Sequence, residues 1–377
     1  MNRHMDTWLI LLIIAMLMLG LLMVFSSSAV IATTNPGSEF KYLIRQCTAL
    51  AVGLGLCIGT AFVPMSFIKK NHMHLYAAVG LGLLLCFSPF LGVSVKGASR
   101  WIGFGSVNFQ PSAFAKIVAL ISVAKFLHAR RGQVHHMRVV IQACLIPLPL
   151  MMLILFEPDF GTTMIITLLV GFMLFIAGMR KQHITILGIS VVIVGFFALI
   201  MEEYRLQRMR HFWDPWSAYE GQGYQVIQGW IALHNGGLTG TGLGNSVSKR
   251  HFLPEPWTDF IAAVIGEELG FIGLCLLIVC YCLLLWRGFH IAKNARNAFS
   301  MFLASALTLM LVIEAGFNLG VVLGILPPKG LVLPFISYGS SALMANLWAI
   351  GLLLSISAEK RDIPLEQGWK GIQSNGA

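Results

Sequence analysis

Residues 253–286 read LPEPWTDFIAAVIGEELGFIGLCLLIVCYCLLLW, and the length of their apolar run predicts a membrane-spanning helix. A polar segment runs into an apolar helix that carries Asp259 at its start and Glu267 and Glu268 farther along. A carboxylate in the middle of a membrane helix costs roughly 2.5–3.5 kcal/mol on insertion scales. Three acids within ten residues are therefore functional candidates, although a helix end among lipid headgroups with paired acids would also accommodate Glu267 and Glu268.

The rest of the chain has the composition of a helical membrane protein. Of its 377 residues, 57% are hydrophobic and 11% charged, and the apolar residues fall in runs of about 20. These runs predict an all-α polytopic fold that forms one integral membrane domain over residues 1–377. The ten predicted spans are residues 8–31, 44–66, 75–91, 112–127, 139–156, 160–178, 183–201, 259–286, 298–325 and 339–357.

The basic residues predict how the chain is oriented. With the N-terminus inside, twelve Lys and Arg residues fall in cytoplasmic segments and four in short outer loops, as the positive-inside rule requires. Both termini, including the tail at 358–377, are then cytoplasmic, and the net charge of +10 serves the membrane rather than nucleic acid. The outer basic residues are Lys41, Lys96, Arg100 and Lys329. The seven cysteines show no ligand spacing and predict neither disulfides nor a zinc site.

One long polar segment, residues 202–258, lies between predicted spans seven and eight and is placed outside the membrane. Its Trp and Tyr residues, among them Trp213, Trp216, Tyr219, Tyr224 and Trp230, argue against disorder. Residues 224–233 place Val226, Ile227, Trp230 and Ile231 on one helical face. That helix is expected on the membrane surface or under the loop. The glycine-rich run at 236–244 follows, and its backbone N–H groups fit either an anion cradle or a flexible turn.

Motifs spread over nearly the whole chain resemble the SEDS family (shape, elongation, division and sporulation). They are KGASRWI (96–102), QPS (110–112), EPDFGTT (157–163), GQGYQ (221–225), GTGLG (240–244), LPE (253–255), TDF (258–260), GEELG (266–270) and LPFISYG (333–339). The LPPKG run at 326–330 is similar to the division branch more than to the elongation branch. Several positions depart from the family pattern. Ala113 replaces a Glu, Trp257 a His and Ser340 a Gly, and Ala262 and Ala263 break the aromatic pattern after Asp259-Phe260.

The resemblance implies a ten-span glycosyltransferase of the bacterial cytoplasmic (inner) membrane that polymerises lipid II, an undecaprenyl-diphosphate disaccharide peptide, into peptidoglycan. It also implies work with a class B penicillin-binding protein, the transpeptidase, and with other division or elongation proteins. The family's catalytic aspartate falls on Asp259 by motif. The loss of the usual Glu at Ala113 leaves Lys116, inside the fourth span, in need of another partner.

Glycan polymerisation requires a base for the acceptor hydroxyl and cations for the diphosphate leaving group. Asp259 is the candidate base, and one carboxylate suffices for direct displacement with inversion at the anomeric carbon. The predicted substrate-binding residues are Arg100, Lys116, Arg210, Lys249, Glu255, Lys329 and Ser337. Each basic residue is alternatively a headgroup anchor, except Lys116, which lies inside a span where a pairing or ligand role is favoured. No protein metal site is predicted, and a divalent cation, Mg or Mn, is left open as a cofactor.

The remaining acids are interpreted as supporting residues. Glu157 and Asp159 are a second acid, a cation site or structural, since Asp159 is placed to cap the sixth span. Glu267 and Glu268 lie about 100° apart on their helix, so they cannot both face one ligand. One is expected to pair with a buried cation or backbone donor, and the other to lie nearer a groove. Glu314 marks a further polar position whose partner the sequence does not specify.

Two other functions use the same features. A lipid II translocase would use a charged interior to move its substrate across the bilayer, but transport sites normally lie near the midplane. A non-catalytic scaffold that activates the transpeptidase would not need an acid at the end of a polar loop. The position of Asp259 therefore favours the enzyme.

Overall fold

The computed structural model describes residues 5–28, 40–95, 98–104, 107–201, 203–219, 222–250 and 252–359. Within them the chain forms thirteen α-helices, a short 3₁₀ helix and one small sheet. The helices are α1 (Thr7–Ser28), α2 (Lys41–Phe62), α3 (Met65–Leu85), α4 (Pro111–Ala129), α5 (Met137–Leu145), α6 (Leu148–Phe156), α7 (Phe160–Ile176), α8 (Lys181–Ile200), α9 (Glu203–Trp213), α10 (Gln222–Gly236), α11 (Ile261–Lys293), α12 (Ala298–Val322) and α13 (Ser340–Ala358). The 3₁₀ helix is Pro215–Ala218. The tail beyond residue 359, together with Lys96 and Gly97, lies outside the described residues.

The apolar helices confirm a multi-pass membrane protein. Six helices of the described chain are long and apolar enough to cross a bilayer: α1, α2, α4, α11, α12 and α13. Helices α5 and α6 together form a seventh candidate, bent by 42° at their junction. Helices also occupy the predicted sixth and seventh spans, as α7 and α8, and their apolar stretches are the shorter segments Phe160–Ile176 and Lys181–Phe197. The full count of ten crossings stays a prediction.

The prediction for residues 75–91 is wrong at both boundaries. Helix α3 begins at Met65, directly after Pro64, and ends at Leu85. Polar residues interrupt its first three turns at positions 69–72 and 74, so a hydrophobicity pattern places the start too late. After α3 the chain forms an antiparallel sheet of β1 (Gly92–Val95), β2 (Ala98–Phe104) and β3 (Val107–Phe109), which an all-α fold does not include.

The centre of the molecule is formed by α4 and α12. Along α4, Ile117, Leu120, Ile121 and Leu127 are all fully buried, which is typical of a helix surrounded by other helices. Helix α8 is the opposite case, because nearly all of its apolar side chains are exposed and face outward. The functional residues described below lie on the loops at one end of α4, α7, α11 and α12.

The glycine-rich run closes a break in α11, and two of its N–H groups, those of Thr241 and Gly242, are bonded to that helix. Gly270 has φ 70° and ψ −169°, which interrupts the helix. The N–H groups of Thr241 and Gly242 donate to the carbonyls of Glu267 and Glu268 at 2.9 and 3.0 Å. In return, the N–H groups of the two residues after Gly270 donate to the carbonyls of residues 237 and 238. These bonds occupy the donors that a phosphate would need.

The predicted helix in the long polar segment is confirmed as α10. Its residues Val226 and Ile227 are buried and Trp230 is partly buried, whereas Ile231 is 40% exposed and does not belong to the buried face. Helix α10 packs along α11, and a Cβ on Gly236 would lie 1.9 Å from the carbonyl oxygen of Gly266. Gly266 therefore lets α10 approach α11 closely.

Candidate active site

Asp259 is held at the junction of two loops. It is half-buried and lies just before the start of α11. The Asn318 side chain of α12 donates to the carbonyl oxygens of both Asp259 and Leu331, at 2.8 and 2.6 Å. The carboxylate lies against Gly330, since a Cβ at that glycine would be 2.9 Å from Asp259 Oδ2. Asn318 thus joins the segment that carries the candidate base to the loop that carries Lys329.

Lys329 lies one residue before this contact. It is half-buried, and its Nζ occupies the space above Gly161, where an added Cβ would lie 0.7 Å away. Burial lowers the pKa of Lys329 to about 8; Asp159 opposes this shift, and Lys116 adds to it. Lys329 therefore carries its charge at neutral pH but loses it within the alkaline range.

The Lys116 ammonium donates to the Glu314 carboxylate, and both side chains are buried. This pair joins α4 to α12 across the centre of the molecule. It supplies the partner that Lys116 lacks at Ala113, and it identifies the partner of Glu314, which the sequence left open. Both residues contribute to the electrostatic environment of Lys329.

Arg100 of β2 fixes the turn between α6 and α7. Its guanidinium donates to the carbonyl oxygens of Glu157 and Pro158 at 2.7 and 2.6 Å. The Asp159 carboxylate accepts from the Thr162 N–H and hydroxyl, at 3.2 and 2.6 Å, so it caps α7 as predicted. The short sheet, which the sequence did not predict, is what carries Arg100 to this turn.

The Glu157 side chain is fully buried. Among the described residues, none lies at hydrogen-bonding distance and angle from either of its oxygens. Burial raises the pKa of Glu157 to about 8; the nearby Cys86 thiol and Arg100 oppose the shift, and Asp159 adds to it. Glu157 is therefore mostly protonated at neutral pH, and it does not act as a charged ligand in this state.

Glu267 and Glu268 anchor the polar loop to α11 through separate partners, as their spacing on the helix requires. Glu267 accepts from the Ser246 hydroxyl and from the N–H groups of Val247 and Ser248. Glu268 accepts from Lys249 Nζ at 2.6 Å. The expected pairing with a buried cation is confirmed for Glu268, but Glu267 faces loop backbone and not a groove.

Lys249 itself is only 5% exposed, and its ammonium also donates to Ser26 of α1 at 3.0 Å. Its ion pair with Glu268 thus connects the loop to two helices. This placement favours a structural role for Lys249, and its contact with substrate stays a prediction.

The other predicted substrate contacts are distributed around this centre. Arg210 lies on α9 with its side chain exposed, 3.8 Å from Glu203. Glu255 is exposed, and its carbonyl accepts from Thr258. Ser337 is buried, and its hydroxyl accepts from the Leu333 N–H at 2.8 Å. Their roles toward substrate stay predictions.

Two residues before Asp259, Trp257 belongs to an aromatic cluster that the sequence does not predict. The cluster consists of Tyr42, Trp257 and Tyr338, all partly exposed. The ring of Tyr42 lies 4.8 Å from that of Trp257 and 5.2 Å from that of Tyr338, and the Tyr338 N–H donates to the Trp257 carbonyl at 2.8 Å. Trp257 was noticed only as a departure from a motif, and Tyr42 has no neighbour in sequence that points to the site.

The described residues contain no group of three or more His, Cys, Asp or Glu side chains placed to hold a metal ion. Asp259 and Glu255, four positions apart in the sequence, carry carboxylates of the kind that bind divalent cations. The divalent cation stays a prediction.

Comparisons with known proteins show which family the chain belongs to. Residues 7–362 match the Cell cycle protein family of FtsW, RodA and SpoVE. The chain belongs to this family. It is 40% identical to a probable peptidoglycan glycosyltransferase FtsW of Coxiella burnetii over 94% of this chain and 96% of the relative. The FtsW relative from Pseudomonas fluorescens is 37% identical over 92% and 86% of the two chains.

Solved structures show the same fold. A chain from a peptidoglycan synthase complex, described as coordinating polymerization and crosslinking, aligns with a TM-score of 0.80 and 28% identity over 96% of this chain and all of the other. The Thermus thermophilus rod shape determining protein RodA aligns with a TM-score of 0.69 and 29% identity over 95% and 98% of the chains. The resemblance to the SEDS family is confirmed.

Proposed function

We propose that the protein is a peptidoglycan glycosyltransferase that polymerises lipid II into glycan strands at the outer face of the bacterial cytoplasmic membrane, for cell division or shape. The observation that carries this function is the position of Asp259. Its carboxylate lies against Gly330, next to the titratable cation Lys329. A base and a phosphate-binding cation are thus presented together by two loops that Asn318 joins. The names of the relatives support the same activity.

In the proposed reaction, the Asp259 carboxylate takes the proton of an acceptor sugar hydroxyl. The hydroxyl oxygen forms a bond to the anomeric carbon of the donor, and the bond from that carbon to the diphosphate oxygen breaks. The electron pair leaves with undecaprenyl diphosphate, and the configuration at the anomeric carbon inverts. Only one carboxylate is required, which agrees with a site that holds Asp259 apart from the acid pair of α11.

Lys329 is the principal cation for the leaving diphosphate. The ammonium of Lys116 is engaged by Glu314 and the guanidinium of Arg100 by two backbone carbonyls, so both mainly shape the surroundings of Lys329. Arg210, on the exposed face of α9, would contact substrate from the outer side. The Lys329 ammonium, charged at neutral pH, binds phosphate oxygens without a metal ion, and Mg or Mn would strengthen binding of the diphosphate.

The proposed topology has ten spans, with both termini cytoplasmic and the polar segment 202–258 outside. This arrangement places Asp259 at the outer membrane surface, where lipid-linked sugars are presented. The positive-inside distribution and the six or seven apolar helices support it. Reporter fusions after residues 70, 131, 181 and 296 should report cytoplasm, and a fusion after Gly237 should report the outside.

We assign a class B penicillin-binding protein as the partner. The support is the structural relative described as a synthase complex that coordinates polymerization and crosslinking. Co-purification of the full-length chain with its transpeptidase would test this assignment.

Purified protein supplied with labelled lipid II in vesicles tests the function. Polymer that disappears in Asp259→Asn supports the glycosyltransferase. Movement of lipid II across the bilayer without polymer would instead identify a translocase, and neither activity, with stimulation of an added transpeptidase, would identify a scaffold. The last two outcomes would each overturn the proposal.

A further inference from the structure

A second charged feature lies at the ends of α3 and α4, away from the candidate active site. We call it the basic patch: Lys69 and His72 on α3, Lys125 and His128 on α4, and Arg131 just after α4. Lys125 Nζ lies 3.2 Å from His72 Nδ1, and Lys69 and Arg131 lie within electrostatic range of His128. Four of the five side chains are half-buried, and Arg131 is exposed. The helix pair therefore gathers cationic groups from two elements into one place.

The basic patch has no carboxylate partner in the described part of the chain. Residues 40–156 contain neither Asp nor Glu. The ion pairs formed by described residues are Lys116–Glu314, Arg210–Glu203, Lys249–Glu268 and Arg287–Asp6. His128 Nδ1 is buried and has no hydrogen-bond partner in the structure. Glu359, which contacts the start of α3, accepts from the N–H of Met65.

The positive-inside rule explains why basic residues lie at this end of the helices, but it does not explain this packing. Orientation depends on how many Lys and Arg residues flank the spans, not on contact between them. The Lys125 ammonium lies at hydrogen-bonding distance from the His72 ring. The charges of Lys69, Lys125 and Arg131, in contrast, repel one another, and half-buried charges are screened less than exposed ones. Residues 360–377 add no net negative charge, since they contain three basic and two acidic residues. An anionic ligand would therefore stabilise this packing.

We propose that the basic patch binds the phosphate headgroup of an anionic phospholipid. Ammonium, guanidinium and imidazole N–H groups all donate to phosphate oxygens, and basic pockets between membrane helices are suited to such headgroups. Lys69 is positioned by the ring of Phe299, whose centroid lies 5.9 Å from its Nζ. One turn after Lys69 on the same face of α3, Met73 is 61% exposed, and it provides apolar surface for the acyl chains. This site is independent of the polymerase activity proposed above.

The test uses the full-length protein purified in a zwitterionic detergent. Phosphatidylglycerol and phosphatidylcholine with the same acyl chains are added separately, and bound lipids are counted by native mass spectrometry while Tm is measured. We expect the wild type to retain phosphatidylglycerol with a Tm several degrees higher, and to show neither effect with phosphatidylcholine. In Lys69→Gln/Lys125→Gln, affinity for phosphatidylglycerol should fall about tenfold or more.

The matched control is Arg180→Gln/Lys181→Gln, which removes two exposed charges at the same predicted membrane face but outside the basic patch. It should bind phosphatidylglycerol as the wild type does. Equal losses in the two double variants would overturn the site, because they would show only an effect of net charge. An equal Tm gain with pyrophosphate alone would overturn a lipid as its occupant. If the first double variant does not fold, Arg131→Gln alters only an exposed side chain and must still weaken binding.

Discussion

The ammonium of Lys116 on α4 and the carboxylate of Glu314 on α12 form a buried ion pair across the centre of the molecule. The two residues are 198 positions apart in sequence. Because both charges are removed from water, each depends on the other, and the pair fixes how the two central helices meet. The loop that follows α12 carries Lys329 and Gly330, so this pair also lies beneath the candidate active site.

Removing one member of this pair should destabilise the protein more than removing both. Lys116→Met leaves the Glu314 carboxylate buried without a partner, which costs about 3–5 kcal/mol, whereas Lys116→Met/Glu314→Gln removes both charges. Thermal unfolding of the four proteins of this double-mutant cycle measures the coupling. If the double variant is as stable as the wild type but cannot polymerise lipid II, Lys116 also contacts substrate. Additive losses in the cycle would show that the ion pair does not contribute.

Asp259→Asn should lower polymerisation by a factor of about 100 or more, because it keeps the size of the side chain and removes the base. The backbone bond from Asn318 to the Asp259 carbonyl is unaffected, so folding and lipid II binding should be retained. Glu203→Gln makes the same chemical change at an exposed acid of the polar segment and serves as the control. More than a tenth of wild-type turnover in Asp259→Asn would exclude Asp259 as the base.

Glu157→Gln should change how stability depends on pH. The pKa of Glu157 is about 8 in the folded protein and near 4.5 in the unfolded chain, so the folded state binds the extra proton between these values. Wild-type stability should therefore fall as pH rises from 4.5 to 8, by up to about 1.4 kcal/mol per pH unit from this group. In Glu157→Gln this contribution disappears, and the variant should be the more stable protein at pH 8.

Thermal unfolding at pH 5, 6, 7 and 8 measures the effect, with Glu203→Gln as a variant that alters an exposed carboxylate. A parallel pH profile for Glu157→Gln and the wild type would mean that the Glu157 carboxylate is solvated or paired in solution.

The sequence predicted those parts of the site that local patterns encode. Asp259 was recognised because a polar segment meets an apolar run there. The Asp159 cap was recognised because Asp159 comes shortly before Gly161-Thr162-Thr163 at the start of a helix. The Glu314 partner of Lys116 could not be found in this way, because packing of distant helices creates the pair. Hydropathy also passes over β1–β3, whose strands are too short to register between two spans.

The glycine-rich run also shows that packing of distant segments creates contacts that local sequence patterns do not predict. The number of glycines in residues 236–244 indicated either an anion cradle or a flexible turn, and it gave no sign that the N–H groups of Thr241 and Gly242 bond to helix carbonyls. The carbonyls of α11 are free to accept only because the helix breaks at Gly270, and a break of this kind inside an apolar run leaves no periodic signal.

Lys329 should make activity sensitive to alkaline pH. Its pKa of about 8 means that the ammonium is present below pH 8 and is lost as pH rises through that value. Polymerisation that relies on this cation should therefore decline above pH 8 with a rising KM for lipid II. Gly161→Ala places a methyl group where Lys329 Nζ lies and should produce the same KM increase at neutral pH. Gly171→Ala, on the same helix but facing open space, is the control. An unchanged KM in Gly161→Ala would remove Lys329 from the substrate site.

Gly270→Ala should destabilise the protein and impair activity although it lies eleven residues from Asp259. The backbone at Gly270 has φ 70° and ψ −169°, a conformation that only glycine adopts readily, and an added Cβ would lie 2.4 Å from the Gly240 nitrogen. Strain alone costs about 1–3 kcal/mol, and separation of the glycine-rich run from α11 would free the loop that leads to Asp259. Gly188→Ala on α8, where a Cβ meets nothing within 4 Å, should be neutral or slightly stabilising. Tm, limited proteolysis of residues 222–258 and lipid II polymerisation should all distinguish the two variants, and a Gly270→Ala protein as stable as Gly188→Ala would show that α11 is continuous in solution.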